Sequence, residues 1–173
     1  MEKYPITIET ERLLIRPLTI TDIIKWEPFF HNPASVKYFP NFITGNSEND
    51  ARSWIQKQLD RYEDDRFGLH ALTEKKTGEF IGQCGLLTQE IDNATEIEIG
   101  YSLLPEFEGK GYASEAAQFF KDFAFSNDIT NSIISIIHKD NIPSQKVALR
   151  NDMTNSKATT FHGLDVYVFR VDK

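Results

Sequence analysis

The sequence predicts a mixed α/β (α+β) fold in which helices flank a central, mostly antiparallel sheet that also holds one parallel pair of strands. Three observations point there. The runs Phe67 to Thr73, Phe80 to Thr88 and Thr95 to Leu104 are strand-like and separated by the turn-forming stretches TEKKTGE and QEIDNA. From Tyr112 to about Phe125 the apolar residues recur at helical spacing, and Ser132 to Ile137 is then a short, nearly all-apolar, β-rich run. Consecutive strands joined by short turns form an antiparallel meander, whereas strand, helix and strand in succession form a parallel crossover whose second strand is covered on both faces.

The elements follow in order. Arg12 to Leu18 reads as a first strand, after which Thr21 or Asp22 opens a short helical stretch that Pro28 is expected to end or kink. Ser47 is the expected cap of a second helix, with Asp50 in its first turn and Ala51, Trp54, Ile55, Leu59 and Tyr62 on one face; the opposite face is charged and solvated. In the helix from Tyr112, the face carrying Tyr112, Ala113, Ala116, Phe119, Phe120, Phe123 and Ala124 packs on the sheet, leaving Glu115, Gln118, Lys121 and Asp122 outside. A short helix follows Asn141, and Lys157 to Arg170 reads as two strands joined near His162-Gly163. There is no internal repeat. With 173 residues, 40% of them hydrophobic, the chain has material for one core, and a single domain over residues 1–173 is expected.

Charge and cysteine usage narrow the function classes. A net charge of −7 is the wrong sign for a protein that binds by neutralising nucleic-acid phosphates, so no nucleic-acid partner is expected. Cys84 is the single cysteine and has no partner for an intramolecular disulfide; the start MEKYPITIE lacks the basic and apolar regions of a signal peptide. A cytoplasmic location is expected. No apolar run approaches the ~20 residues of a membrane-spanning helix, so no membrane role is expected either.

The segment that carries chemistry is EIEIGYSLLPEFEGKGYASEA, Glu96 to Ala116, where a strand passes through a Gly-x-Gly turn into a helix. Gly109 and Gly111 permit backbone conformations closed to other residues and let a ligand approach. The first amides of the helix point outward with the positive end of its dipole. Together these make an anion site suited to phosphates, although the same turn also serves as a plain helix entry. A dinucleotide fingerprint requires a further glycine where Ser114 stands, and a Walker A loop requires Gly-Lys-Ser/Thr where the chain has Gly109-Lys110-Gly111.

With TERLLIRPL at Thr10 to Leu18, EIGYSL at Glu98 to Leu103, EGKGYASEA at Glu108 to Ala116, and Asn141-x-x-Ser144 ahead of Arg150-Asn151-Asp152-Met153, the chain resembles the GNAT superfamily of N-acetyltransferases over nearly its whole length. Within it, the likeness is to the ribosomal-protein-alanine acetyltransferase-like branch. The resemblance implies acetyl-coenzyme A as co-substrate and no metal. It implies that the backbone from Gly109 through Lys110, Gly111, Tyr112 and Ala113 to Ser114 holds the pyrophosphate. Leu103 and Leu104 would hydrogen-bond the pantetheine arm, with Asn141 on its other side. It also implies that the strand ending near Leu104 splays from the one ending near His138, with the thioester in the wedge. Two positions depart from the family pattern. Glu108 stands where Gln or Arg is usual and must point away from the phosphates, and Asp152 replaces a frequent Gly, a mild change because Asp tolerates the left-handed conformation.

Amide formation needs a neutral amine, yet alkylamines have a pKa near ~10.4 and α-amines near ~8, so a proton acceptor is required. Strand alternation sets Ile97, Ile99, Tyr101 and Leu103 on one face and Glu96, Glu98, Gly100 and Ser102 on the other. Supported by the resemblance, Glu98 is the candidate general base, directly or through a water; the alternative is a structural carboxylate paired with a neighbouring strand. Ser144 is the candidate donor to the departing thiolate, against a routine first-turn serine. Gly100 and Gly111 also admit a packing role alone. His138 is placed to contact substrate, whereas His31, His70 and His162 have no motif around them. No His/Cys/Asp/Glu spacing suggests a metal. Cys84 beside Gly85 reads as a buried small residue, and Trp26, Phe29, Phe30, Tyr38 and Phe39 line either an acceptor pocket or the core.

The expected activity is therefore acetyl transfer from acetyl-coenzyme A to a primary amine, on a protein N-terminus or a small molecule, by a monomer or homodimer. A non-catalytic acyl-coenzyme A-binding module is the alternative, and a nucleotide-binding domain ranks last.

Overall fold

A computed structural model describes residues 7–173. Its centre is an eight-stranded sheet in the order β1-β2-β3-β4-β5-β6-β8-β7. The strands are β1 (Ile8–Glu9), β2 (Leu13–Pro17), β3 (His70–Glu74), β4 (Phe80–Ile91), β5 (Ala94–Leu103), β6 (Ser132–His138), β7 (Thr154–Phe161) and β8 (Leu164–Asp172). Every neighbouring pair is antiparallel except β5 and β6, which are parallel and share the single bridge Glu98↔Ile134. The helices are α1 (Ile23–His31), α2 (Pro33–Val36), α3 (Ser47–Glu63), α4 (Tyr112–Ser126) and α5 (Ile142–Arg150). The expected meander is β3–β4–β5, and the expected crossover is β5–α4–β6.

Pairing and alternation decide which helix covers which face. Gln83 accepts a hydrogen bond from Trp54 Nε1 of α3 at 3.1 Å, and its cross-strand partners on the same face run through Leu87 to Glu98. Cys84 pairs with His70, whose ring lies 5.6 Å from that of Phe120 on α4. The sheet therefore carries α3 on the face of Glu98 and α4 on the face of Cys84. Both faces are buried over β4, which reads as an unbroken buried run from Phe80 to Leu87.

Four details differ from the sequence expectation, the first being Lys121, expected outside on α4 but buried where its Nζ donates to the Asn151 carbonyl at 3.1 Å. Pro28 neither ends nor sharply limits α1, which continues to His31. The hydrogen bond it removes belongs to the carbonyl of Ile24, a residue three-quarters exposed, while Trp26 and Phe29, stacked at 4.3 Å, hold the helix into an aromatic cluster with Trp54 and Phe80. The cap of α3 is Asn46, whose side chain accepts from Asn49 N at 3.0 Å, and Ser47 instead donates to Glu27 at 2.8 Å, tying α3 to α1. The stretch QEIDNA is mostly strand. β4 runs to Ile91, and only Asp92-Asn93 turns, both at positive φ (49° and 64°), as a two-residue hairpin requires. His162-Gly163 does the same between β7 and β8, at φ 49° and 80°.

Candidate active site

The site grows from the one place where the sheet opens. Beyond the bridge at Ile134, the backbone groups of β5 and β6 that face each other no longer pair. Side chains take them instead: the Ile136 amide donates to Glu98 Oε1 at 3.2 Å, and the Ser135 hydroxyl donates to the Ile99 carbonyl at 2.8 Å. Unpaired buried backbone groups are costly, so a carboxylate and a hydroxyl at these positions are what allow two adjacent parallel strands to diverge. Glu98 is buried, and Gln89 Nε2 donates to its Oε2 at 2.7 Å. Burial pushes the Glu98 carboxyl above the usual carboxylate range, against the lowering effects of the Gln89 and Ile136 hydrogen bonds and the Arg61 charge.

On one side of the opening lies a groove lined by Leu103, Glu108, Gly109, Gly111, Ala113, Ser114, Asn141 and Ser144, with the cations Lys37, Lys146 and Arg150 along it. Gly109 and Gly111 take φ of 73° and 85°, the left-handed conformation that favours glycine, and Gly111 is the residue before α4. The first ladder bond of α4 runs from Glu115 N to Gly111 O, so the amides of Tyr112, Ala113 and Ser114 stay outside the helical ladder. Ser114 Oγ is buried with no partner among the described residues, an orphaned donor in the first helical turn beside these amides. Such a set of donors fits an oxyanion-rich ligand, and a Cβ added at Gly109 would meet nothing within 4 Å, so the cradle is open.

The loop is held from outside the motif. Arg12 Nη1 donates to the Lys110 carbonyl at 2.8 Å, its Nε pairs with Glu115 at 2.7 Å, and its guanidinium lies 4.6 Å from the Tyr112 ring centre. The Tyr112 hydroxyl donates to Glu74, so its side chain serves packing and only its backbone faces the groove. Lys110 Nζ lies 5.2 Å from the centre of the Phe107 ring. Leu104 N donates to Ile81 O at 2.9 Å, which assigns its amide to β4; by alternation the amides of Leu103 and Tyr101 face the gap toward β6. Of the two leucines expected at the strand end, Leu103 is the one with free edge.

A second cavity lies on the α3 face, lined by Tyr38, Phe39, Phe42, Trp54, Lys57, Arg61, Gln89, Glu98 and His138 among others. It shares Tyr38, Phe39, Tyr101, Ser102, Asn141 and Ser144 with the groove, so the two meet at the splay. At that junction Asn141 accepts from Ser144 N at 3.2 Å and so caps α5, and the Tyr101 hydroxyl donates to the Ser144 carbonyl at 2.8 Å. Burial raises the Tyr101 hydroxyl well above its ordinary range, which keeps it a donor.

Glu98, Leu103, Gly109, Gly111, Ala113, Ser114, Asn141 and Ser144 are thus brought around one continuous space, while the side chains of Leu104, Lys110 and Tyr112 turn to other work. The expected aromatic set divides: Trp26 and Phe30 pack in the core, Phe29 reaches the groove, and Tyr38 and Phe39 border both cavities. Cys84 is buried, as expected. Asp152 takes the left-handed conformation at φ 64° and accepts from Lys121 Nζ at 2.9 Å. Four contributors escaped sequence reasoning. Gln58 and Arg61 sit on the buried stripe of α3, four and seven residues after Trp54, where a polar residue at an apolar position was the available signal. Lys146 and Arg150, one turn apart on α5, followed the Asn141 motif at helical spacing. Among the described residues no cluster of three or more His, Cys, Asp or Glu side chains forms a metal site, and no helix is long and apolar enough to cross a membrane.

Comparison with known proteins gives a consistent result. A family model described as an acetyltransferase (GNAT) domain matches residues 12–154. The chain is similar to the uncharacterized N-acetyltransferase p20 of Bacillus licheniformis, at 31% identity over 176 aligned residues that cover 96% of each protein. Among solved structures it is similar to the acetyltransferase of Agrobacterium tumefaciens strain C58, with a TM-score of 0.79 and 27% identity over 96% of this chain and 94% of the other. The microcin C7 self-immunity acetyltransferase MccE, solved with acetyl-CoA and AMP, has the same fold at a TM-score of 0.79 and 16% identity, over 98% of both chains.

Proposed function

We propose, since this chain belongs to the GNAT acetyltransferase family, that it transfers the acetyl group of acetyl-coenzyme A to a primary amine by direct attack in the splay between β5 and β6. One observation carries this: a groove with a helix-start anion cradle and a cavity with a buried glutamate open into each other at the splay. Donor and acceptor thus have separate approaches and one meeting place. MccE, of the same fold, was solved with acetyl-CoA, which supports that donor.

In the proposed reaction the amides from Gly109 to Ser114 and the Ser114 hydroxyl bind the pyrophosphate, with Lys146 and Arg150 facing the remaining phosphate charge. The Leu103 and Tyr101 amides and Asn141 Nδ2 hold the pantetheine arm. Glu98, with its Oε1 and Oε2 held by Ile136 and Gln89, accepts a proton from the ammonium form of the acceptor, directly or through a water. Its raised pKa brings it closer to the amine's, which favours that transfer. The neutral nitrogen attacks the thioester carbon, the C–S bond breaks, and the nitrogen loses its second proton as the thiolate gains one. Ser144 Oγ supplies a hydrogen bond to the departing sulfur.

Coenzyme A thiol release, measured with a panel of amines, peptides and ribosomal proteins, tests this. Glu98→Gln is expected to keep its stabilisation by acetyl-coenzyme A while kcat falls about 10²–10³-fold, and Ser144→Ala to lose about 10-fold. A Glu98→Gln protein that turns over at the wild-type rate removes Glu98 from the mechanism. Thiol release with none of the acceptors leaves an acyl-coenzyme A-binding module.

A further inference from the structure

We propose that Arg61 recognises an anionic group on the acceptor, so that the amine acetylated here belongs to a small molecule that also carries a carboxylate or phosphoryl group; this rests on the transferase reading above. Arg61 is 8% exposed, on the face of α3 that lines the acceptor cavity. Its Nη1 is buried and has no hydrogen-bond partner, and it makes no ion pair among the described residues. A guanidinium does not escape that situation by losing its proton, and a buried charge requires a counter-charge.

Several polar groups that line the same cavity are engaged elsewhere. Gln58 Oε1 accepts from Leu69 N at 3.0 Å, Gln89 donates to Glu98, and Ser135 donates to the Ile99 carbonyl. Glu98 lines the same cavity and its charge is felt at Arg61, yet the two do not pair. A cation and a carboxylate thus face one space across a gap. A ligand that bridges them must present the opposite order, an amine toward Glu98 and an anion toward Arg61. Lys57, one turn earlier on α3, lines the cavity as well, so the pocket of a chain with net charge −7 holds two cations beside its one carboxylate.

The cavity favours a small acceptor over a polypeptide end. Residues 38–42 border it and are braced on both sides: Tyr38 Oη donates to the Asp140 carbonyl at 3.0 Å and Asn41 Nδ2 to the His162 carbonyl at 3.2 Å. A braced border of this kind suits a compact zwitterion, the occupant we infer, more than a continuing polypeptide.

The test is thiol release from acetyl-coenzyme A with matched acceptors: the standard amino acids against their carboxamides, O-phosphoethanolamine against ethanolamine, and peptides with Asp or Glu in second place. Wild-type kcat/KM is expected to be at least about 10-fold higher for one anionic series than for its neutral partners, and the better of the two identifies the anion. Arg61→Met should bring that ratio near one through the acceptor KM, leaving the KM for acetyl-coenzyme A within about two-fold, and Arg61→Lys should recover part of it. Equal turnover of anionic and neutral acceptors, or an Arg61→Met protein that keeps the ratio, overturns the proposal while the transferase reading stands. Turnover confined to the peptides overturns the small-molecule assignment. Absence of release with every acceptor overturns both. Thermal stabilisation of Arg61→Met by coenzyme A confirms that the variant is folded.

Discussion

Two glutamates border the space through which the substrates would pass, and desolvation pushes both carboxyls in the same direction. For Glu98 the shift suits a base, and the sign of the pH dependence follows: the carboxylate is lost on acidification through the raised pKa, so kcat/KM should fall toward acid in wild type. For Glu108 the same physics is a liability, because it lines the groove where the phosphates would lie. Glu108→Gln removes one negative charge from that wall and is expected to tighten coenzyme A binding about 3- to 10-fold, with the gain shrinking at high salt. Isothermal titration at two ionic strengths checks this, and unchanged affinity would show that the carboxylate points to solvent.

At the scale of elements, what matters is how β2 is fastened to α4. The Arg12 side chain spans from the start of β2 to the Lys110 carbonyl and Glu115, and the Thr10 hydroxyl donates to the same Glu115 at 2.5 Å. The Gly-x-Gly turn is therefore held in shape by residues nearly a hundred positions earlier. Arg12→Ala is expected to lower stability by only about 1 kcal/mol, since the pair is partly exposed, but to weaken coenzyme A binding about 5- to 10-fold by loosening the amides of the turn. Urea titration and a binding isotherm separate the two effects; equal affinity with lower stability would mean that the turn holds itself. The expected capping role of Ser47 failed at this scale too, because Asn46 competes for the same amides and Glu27 on α1 offers Ser47 a better partner.

The whole molecule sets the acid limit of stability. His70 is buried between α3 and α4, and burial lowers its pKa from 6.5 to about 4. Below pH 6.5 the unfolded chain takes up a proton that the folded one refuses, so the stability contributed by neutral His70 is present above 6.5 and is lost as pH falls toward 4. The loss amounts to about 3 kcal/mol over that range. His70→Gln should be less stable than wild type at pH 7 and lose the part of the acid dependence between pH 6.5 and 4, measured as the difference between the two unfolding curves. Parallel curves would assign the acid sensitivity to other groups.

The sequence by itself determined what is local: where helices and strands run, since these follow periods of 3.6 and 2, and the Gly-x-Gly helix entry, since positive φ at Gly109 and Gly111 is a property of the residues themselves. It also placed Glu98 on the same face of β5 as Glu96, Gly100 and Ser102, because alternation is fixed along a strand, and that is the face that lines the cavity. The tertiary structure alone decided what depends on partners far apart in the chain. The burial that perturbs Glu98 comes from packing; its two hydrogen bonds come from β4 and β6, and the charge beside it from α3. The burial of Arg61 exists only once α3 is laid on the sheet. The same holds for the meeting of the two cavities, which no single segment encodes and which arises from the divergence of β5 and β6 with α3 and α5 on opposite sides of it.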